Sequence, residues 1–274
     1  MYSRLEAASI ASWVFEDVLN LRKHEMILSQ NQAIAKEDRK RLHETLERLL
    51  HHEPLQYILG YTYFYDMKLK VDANVLIPRP ETEELVRWVI EDTIKSNPPK
   101  PLKIIDIGTG SGCIAIALKK ALTNVEVIAI DVSAGALQTA SENALSQDVA
   151  ITFLQIDVLN PTQCGTLPQC DIIVSNPPYV TFAEKQQMGE NVKRYEPSSA
   201  LFVENATPVI FYETIAALGQ QKLYNDGSLY FEINPLYQAQ IVDTLHSNGY
   251  HQIDRRDDLQ QKCRMISGKK KEIG

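Results

Sequence analysis

No run of about 18 apolar residues occurs in this 274-residue chain, so a membrane-spanning helix is not expected. Cysteine is scarce. Cys113, Cys164, Cys170 and Cys263 form no C-x-x-C pair, and no histidines stand at zinc-finger spacing. Reduced, mostly buried thiols are the expectation, with no metal site. His51-His52-Glu53 reads as an exposed helix end, because neighbours on a helix point in different directions. Surplus positive charge is also missing: 28 Lys and Arg stand against 35 Asp and Glu, a formal net charge of −7. A protein that wraps duplex nucleic acid normally presents a basic face, so direct nucleic-acid binding is not expected. One basic run, Lys269-Lys270-Lys271, reads as a solvated tail. Repeats and low-complexity segments are absent. Met1-Tyr2-Ser3-Arg4-Leu5-Glu6 lacks the basic-then-apolar pattern of a secretory signal, which points to a cytoplasmic protein.

What is present is an ordinary soluble composition, 44% hydrophobic and 23% charged, at a length that suits one large domain plus a smaller one. Ile10, Val14, Val18 and Leu21 recur at helical spacing, as do Leu42, Leu46, Leu49 and Leu50. Leu28-Ser29-Gln30-Asn31-Gln32 reads as a break between them. From Pro54 the texture changes: Tyr61-Thr62-Tyr63-Phe64-Tyr65 and Leu69-Lys70-Val71 around Asp66 suggest a short hairpin. The expected organisation is a helical domain over 1–53, a hairpin linker over 54–80 and a larger domain over 81–274. Thr82 is placed to cap the helix that runs through Val86 and Ile90, with acids in its first turn.

After the breaker Asn97-Pro98-Pro99-Lys100-Pro101 the chain alternates. Strands are expected near 103–107, 125–130, 151–155, 171–175 and 228–233, with helices near 112–122, 133–146, 208–222 and 235–247. Alternation of this kind means a Rossmann-like α/β fold, a mostly parallel sheet covered on both faces. Tyr250–Asp254 and Cys263–Ser267 would close it with an antiparallel pair.

Two turns carry the chemistry. Lys103-Ile104-Ile105-Asp106-Ile107 runs into Gly108-Thr109-Gly110-Ser111-Gly112 and then a helix. Glycines let the backbone bend sharply and approach a ligand, and the following helix offers unpaired N–H groups. Sheets of this type bind ligands at the carboxyl ends of their strands. A dinucleotide site expects G-x-G-x-x-G, but Cys113 takes the third glycine's place. G-x-G-x-G with Asp106 two residues ahead resembles instead the S-adenosylmethionine site of class I methyltransferases, in which the acid serves the methionine end. Asp131 ends the next strand, where a carboxylate can accept ribose hydroxyls, a role shared with dinucleotide sites. Asp157-Val158 ends the third strand; the resemblance implies that this position contacts the adenine amino group.

The second turn, Asn176-Pro177-Pro178-Tyr179, follows the apolar strand Asp171–Ser175. It presents a carboxamide and the carbonyls of a stiff Pro-Pro pair, a geometry suited to gripping an NH2 group by its two hydrogens. In a doubly wound sheet this strand adjoins the first, so the tetrapeptide would face the cofactor. N-P-P-Y behind such a site is similar to that of methyltransferases acting on planar nitrogens, adenine and glutamine alike. With Pro54–Gly60, Leu76-Ile77-Pro78-Arg79-Pro80-Glu81-Thr82-Glu83 and Tyr195-Glu196-Pro197 added, the chain resembles the HemK family, the peptide chain release factor glutamine methyltransferases.

That resemblance implies methyl transfer from S-adenosylmethionine to the glutamine side chain of the Gly-Gly-Gln motif in class I release factors, by a monomer whose helical domain helps hold the factor. It implies cofactor contacts from Asp106, Gly108, Thr109, Gly110, Ser111, Gly112, Asp131, Asp157, Val158 and Asn176. It places Asn176, Pro177, Pro178, Tyr179 and Pro80 on the substrate, with Asn176, Pro177 and Tyr179 catalytic. A DNA adenine-N6 enzyme and a ribosomal-protein glutamine enzyme are the alternatives. Two departures stand out: Glu232-Ile233-Asn234, where the family usually has Glu-Ile-Gly, and a loop over Asp258–Arg264 without the usual glycine.

Overall fold

The computed structural model describes residues 3–21, 23–28, 31–98 and 100–271. Ser29, Gln30 and Pro99, parts of the two expected breaks, lie outside the described residues. Ser3 opens helix α1 (Arg4–Leu19) with a capping box: its hydroxyl accepts from the Glu6 N–H at 3.2 Å and its own N–H donates to the Glu6 carboxylate at 3.3 Å. Helices α2 (Lys23–Leu28), α3 (Lys36–Leu50) and the short α4 (Leu55–Leu59) follow. Val14, Val18, Leu49 and Leu55 bury together, with Ile10 and Leu42 packed on them. The apolar series on α3 is wider than the surface that covers it, so Leu46 and Leu50 remain exposed.

The hairpin forms from β1 (Tyr61–Phe64) and β2 (Met67–Lys70), paired antiparallel from Tyr61–Lys70 to Phe64–Met67. Period-two alternation buries Phe64, Met67 and Leu69. Helix α5 (Pro80–Ser96) begins earlier than the Thr82 cap implied. Pro80 takes its first position, where a fixed φ is already helical and the missing N–H is not needed. The Thr82 hydroxyl is therefore free for another partner.

The main domain runs β3 (Leu102–Ile107), α6 (Cys113–Ala121), β4 (Val125–Asp131), α7 (Ala134–Ser146), β5 (Thr152–Gln155), α8 (Pro161–Cys164) and β6 (Cys170–Ser175). Short elements follow: β7 (Val180–Thr181), α9 (Glu190–Tyr195), α10 (Ser198–Leu201) and β8 (Phe202–Val203). It ends with α11 (Ile210–Lys222), β9 (Leu223–Glu232), α12 (Gln238–Ser247), β10 (Tyr250–Asp257) and β11 (Cys263–Lys270). The sheet order is β10-β11-β9-β6-β3-β4-β5; β9 to β5 are parallel, while β11 and β10 close the other edge antiparallel. Alternate residues serve two cores. Ile104, Val127 and Ile172 pack with α5 and α6, whereas Ile105, Ile128 and Ile173 pack with α11 and α12.

Strand β9 starts five residues earlier than expected, through a register shift opposite Cys170–Ile172 that absorbs the polar Asn225-Asp226-Gly227 stretch. The lysine run departs further from expectation. Lys269 and Lys270 belong to β11, and buried Lys270 donates to the Leu223 carbonyl at 2.7 Å, so most of the run is sheet. All four cysteines are unpaired and three are buried.

Candidate active site

Because β3 lies between β4 and β6, the turns after all three strands meet at one edge of the sheet. Ser175 joins two of them: its buried hydroxyl donates to the Ile107 carbonyl at 2.7 Å, fixing the end of β6 against the end of β3. A cavity of about 400 Å³ opens there. On its wall stand Gly108, Thr109, Gly110 and Ser111 from the first turn, Asp131, then Asp157 and Val158, and Asn176, Pro177 and Pro178 from the second. Asp106, Gly112, Tyr179 and Pro80 are not part of that wall.

Backbone hydrogen bonds hold the start of the glycine turn. Gly108 and Thr109 donate their N–H groups to the Ile130 carbonyl at 2.9 and 3.0 Å, tying the turn to the end of β4. Gly108 (φ 73°) and Gly110 (φ 54°) take left-handed conformations, and a Cβ at either would meet nothing within 4 Å. Gly112 (φ 81°) differs: a Cβ there would lie 3.1 Å from Ala140 Cβ and from Ile116 Cδ1. A side chain there would crowd the close approach of α6 to α7.

Asp106 sits behind the turn, fully buried. The Thr109 hydroxyl donates to its Oδ2 at 2.6 Å, and its Oδ1 has no partner. Burial pushes this carboxyl up to about 7. Asp131 accepts from the Gly110 N–H at 3.0 Å and the Ser133 N–H at 2.9 Å, and burial raises its carboxyl as well. Asp157 is set by its own loop: its Oδ1 accepts from the Leu159 N–H at 2.9 Å, and its N–H donates to Gln163 of α8 at 2.8 Å.

On the acceptor side the Asn176 amide nitrogen donates to the Thr82 hydroxyl oxygen at 3.1 Å. Thr82 in turn donates to Glu232 Oε2 at 2.6 Å, and the Tyr179 hydroxyl donates to Oε1 at 3.2 Å. Glu232 ends β9 and is fully buried, which raises its carboxyl despite these donors. Arg79, on the cavity wall, pairs with buried Glu196 at 2.6 Å, whose other oxygen accepts from the Ile77 N–H at 3.3 Å. Phe202, also on the wall, stacks on Phe182 with ring centroids 5.2 Å apart. Sequence reasoning assigned no site role to Thr82, Glu232, Arg79, Glu196 or Phe202. Glu232 ends a strand at the same edge as Asp131 and Asp157, so the end-of-strand rule that found those two also selects it.

Residues 89–194 match the model of the methyltransferase small domain, and residues 3–60 that of the PrmC N-terminal domain. A release factor glutamine methyltransferase of Flavobacterium psychrophilum is 41% identical, over 97% of this chain and 93% of its own length. This chain belongs to the release factor glutamine methyltransferase family. Its Lactococcus lactis relative, of the same description, is 41% identical over 94% and 92% of the two chains. Among solved structures, the ribosomal protein L11 methylase of Lactobacillus delbrueckii superposes with a TM-score of 0.51 at 23% identity, covering 77% of this chain and 91% of that one. The T. thermophilus 16S rRNA N2 G1207 methyltransferase, solved with AdoMet and guanosine, gives 0.54 at 13% identity, covering 77% and 50%. These two likenesses concern the fold.

Both departures from the family's usual pattern are accommodated locally. Asn234 has φ −76°, ordinary extended backbone that needs no glycine. Its side chain accepts from the Leu236 N–H at 3.1 Å and donates to the Tyr179 carbonyl at 3.2 Å. In the glycine-free loop Gln261 takes the left-handed conformation (φ 62°), and Asp258 secures the bend by accepting from the Gln260 and Lys262 N–H groups at 2.8 and 3.0 Å. The family's cofactor also fits the residues present. Gly108 and Gly110 leave room for close approach, Asp131 stands on the wall, and the partnerless Asp106 Oδ1 is an acceptor suited to a cationic methionine end.

Proposed function

We propose that this protein transfers a methyl group from S-adenosylmethionine to the side-chain amide nitrogen of the glutamine in the Gly-Gly-Gln motif of class I peptide chain release factors. The observation that carries this reading is the shared cavity: the Asn176-Pro177-Pro178 turn and the glycine turn line one space because β6 adjoins β3. When bound, S-adenosylmethionine supplies an electrophilic methyl group on a sulfonium.

The glycine turn, with Asp106 behind it, holds the methionine end; Asp131 accepts the ribose hydroxyls; Asp157 and Val158 meet the adenine. An amide nitrogen is a poor nucleophile because its lone pair is delocalised, and positive charge develops on it as the new bond forms. Asn176 Oδ1 and the Pro177 carbonyl accept its two N–H bonds, which orients the lone pair and stabilises that charge with fixed dipoles. Tyr179, held at its hydroxyl by Glu232, offers its exposed part to the flat carboxamide. The proton leaves afterwards from a nitrogen made strongly acidic.

Residues 1–53 are read as the docking domain for the release factor, 54–80 as the linker and 81–274 as the catalytic domain. The Tyr195 hydroxyl donates to the His51 carbonyl at 2.9 Å, a direct tie from the helices to the segment beside the cavity. Incubation with labelled methyl donor and release factor, ribosomal protein or DNA tests the reading. One methyl group on the release-factor glutamine is expected; transfer to DNA or ribosomal protein alone overturns it.

A further inference from the structure

We propose that Thr82 and Glu232 are positioning residues that set which end of the Asn176 carboxamide faces the acceptor, a step that rests on the clamp role given to Asn176 above. A carboxamide has a donor end and an acceptor end of nearly the same shape, and only the acceptor end can hold a substrate NH2. Something must break that near-symmetry. Neither the Pro-Pro turn nor strand β6 does so.

The hydrogen-bond chain behind Asn176 does. Both oxygens of the Glu232 carboxyl accept here, Oε2 from the Thr82 hydroxyl at 2.6 Å and Oε1 from the Tyr179 hydroxyl at 3.2 Å. Thr82 has one hydrogen, already spent on Glu232. Its oxygen can then only accept, and the group before it is Asn176 Nδ2 at 3.1 Å. With the nitrogen tied back, Oδ1 is left to point at the substrate. The polarity passes from a buried acid through one hydroxyl to the atom that touches the acceptor. Without the acid, Thr82 can donate to Asn176 Oδ1 instead, turning the NH2 toward the substrate NH2 and placing donor against donor.

The placement of Thr82 agrees with this use. It sits at the third position of α5, because Pro80 starts the helix, and its hydroxyl serves no cap. It is also on the cavity wall, within reach of Asn176, although the two are 94 positions apart. At the far end of the tetrapeptide, Asn234 donates to the Tyr179 carbonyl, so Glu232 at the end of β9 and Asn234 just beyond it hold the hydroxyl and the carbonyl of Tyr179.

The test compares Thr82→Val, Thr82→Ser and Glu232→Gln with the unmodified enzyme, using release factor and S-adenosylmethionine. Thr82→Val is expected to lower kcat about 10- to 100-fold, the order of one mis-set charge-stabilising contact. KM for the release factor, cofactor affinity by calorimetry and the unfolding temperature should stay near their original values. Thr82→Ser, which keeps the hydroxyl, should recover kcat to within about threefold, and Glu232→Gln should lose about tenfold or more. Unchanged kcat in Thr82→Val, a loss confined to KM, or failure of serine to rescue overturns the proposal. Should Thr82→Val not fold, Glu232→Gln carries the same comparison at equal size. A readout without turnover separates this proposal from the functional one: one Asn176 side-chain N–H should exchange slowly with solvent in the unmodified protein and in Thr82→Ser, and fast in Thr82→Val and Glu232→Gln. If no methyl reaches the release factor, the function falls while this exchange still decides the polarity; equal exchange in all of them overturns it.

Discussion

Asp106→Asn is expected to make the protein more stable at neutral pH while weakening the cofactor site. The fold holds this carboxyl at about 7 against an ordinary value of 3.8, because burial disfavours its charge. The folded state therefore keeps the proton longer than the unfolded chain. As pH rises from about 4 the unfolded chain ionises first, and stability falls by about 1.4 kcal/mol per pH unit until the folded group also ionises near 7. Above that pH the full cost, on the order of 4 kcal/mol, is present. Asparagine keeps the shape and an oxygen for the Thr109 hydroxyl but has no charge to bury. Its own fixed offset is independent of pH, so the quantity to read is the change in the stability difference between variant and original protein. Urea unfolding at a series of pH values should show the difference moving in the variant's favour by about 2–3 kcal/mol between pH 5 and 7 and levelling off above. Asp131, also raised, is common to both proteins and cancels to first order. A difference that is flat from pH 5 to 8 would refute the claim that burial holds the Asp106 proton. In the same variant S-adenosylmethionine should bind more weakly, since a neutral amide cannot balance a cation.

Asn176→Ala should reduce turnover roughly 10²–10³-fold while calorimetry finds cofactor binding almost intact; near-normal turnover would remove Asn176 from the mechanism. Asp131→Ala should weaken S-adenosylmethionine binding about 10- to 100-fold through loss of charged hydrogen bonds to the ribose, and an unchanged dissociation constant would rule that role out. Arg79→Ala strands the Glu196 carboxylate, whose side chain is 1% exposed against 33% for the arginine. The cost should be roughly 2–3 kcal/mol, below that of a fully buried pair because the arginine is partly solvated. Chemical unfolding measures it; a change below about 0.5 kcal/mol, the scale of an ordinary surface substitution, would show that the pair holds nothing in place.

The sheet and its edge were readable because hydrophobic period and strand-to-helix alternation are local signals. Each strand of the parallel sheet fell within a few residues of its expected place, apart from the irregular start of β9. The end-of-strand rule likewise brought Asp131, Asp157 and Asn176 to one cavity. What the sequence hid was where side chains turn. A threonine ahead of acids reads as a helix cap, and only the start of α5 at Pro80 shows that Thr82 is free to reach Glu232, 150 positions away. Gly112 looks like Gly108 and Gly110 until α7 is seen against it. Tyr179 follows Pro178 in the chain, yet its hydroxyl faces Glu232 and it stands off the cavity wall. Lys270 looked like a tail because a buried lysine is rare; the carbonyl of Leu223 that receives it belongs to a distant strand end.

Four acids lie at or beside strand ends at this edge, and the fold treats them in two ways. Asp131 and Asp157 face the cavity and are steadied by backbone N–H groups. Asp106 and Glu232 stay buried behind the turns, and each accepts a hydrogen bond from the hydroxyl of a threonine that does line the cavity: Thr109 at 2.6 Å and Thr82 at 2.6 Å. A threonine whose proton is committed backwards presents only lone pairs forwards. The cavity wall is thereby biased toward accepting at both ends, which suits a cationic ammonium at one and a carboxamide NH2 at the other. Burying two carboxyl groups costs stability. In return, each turn faces the cavity as an acceptor before any ligand arrives, so no reorientation is needed when charge develops.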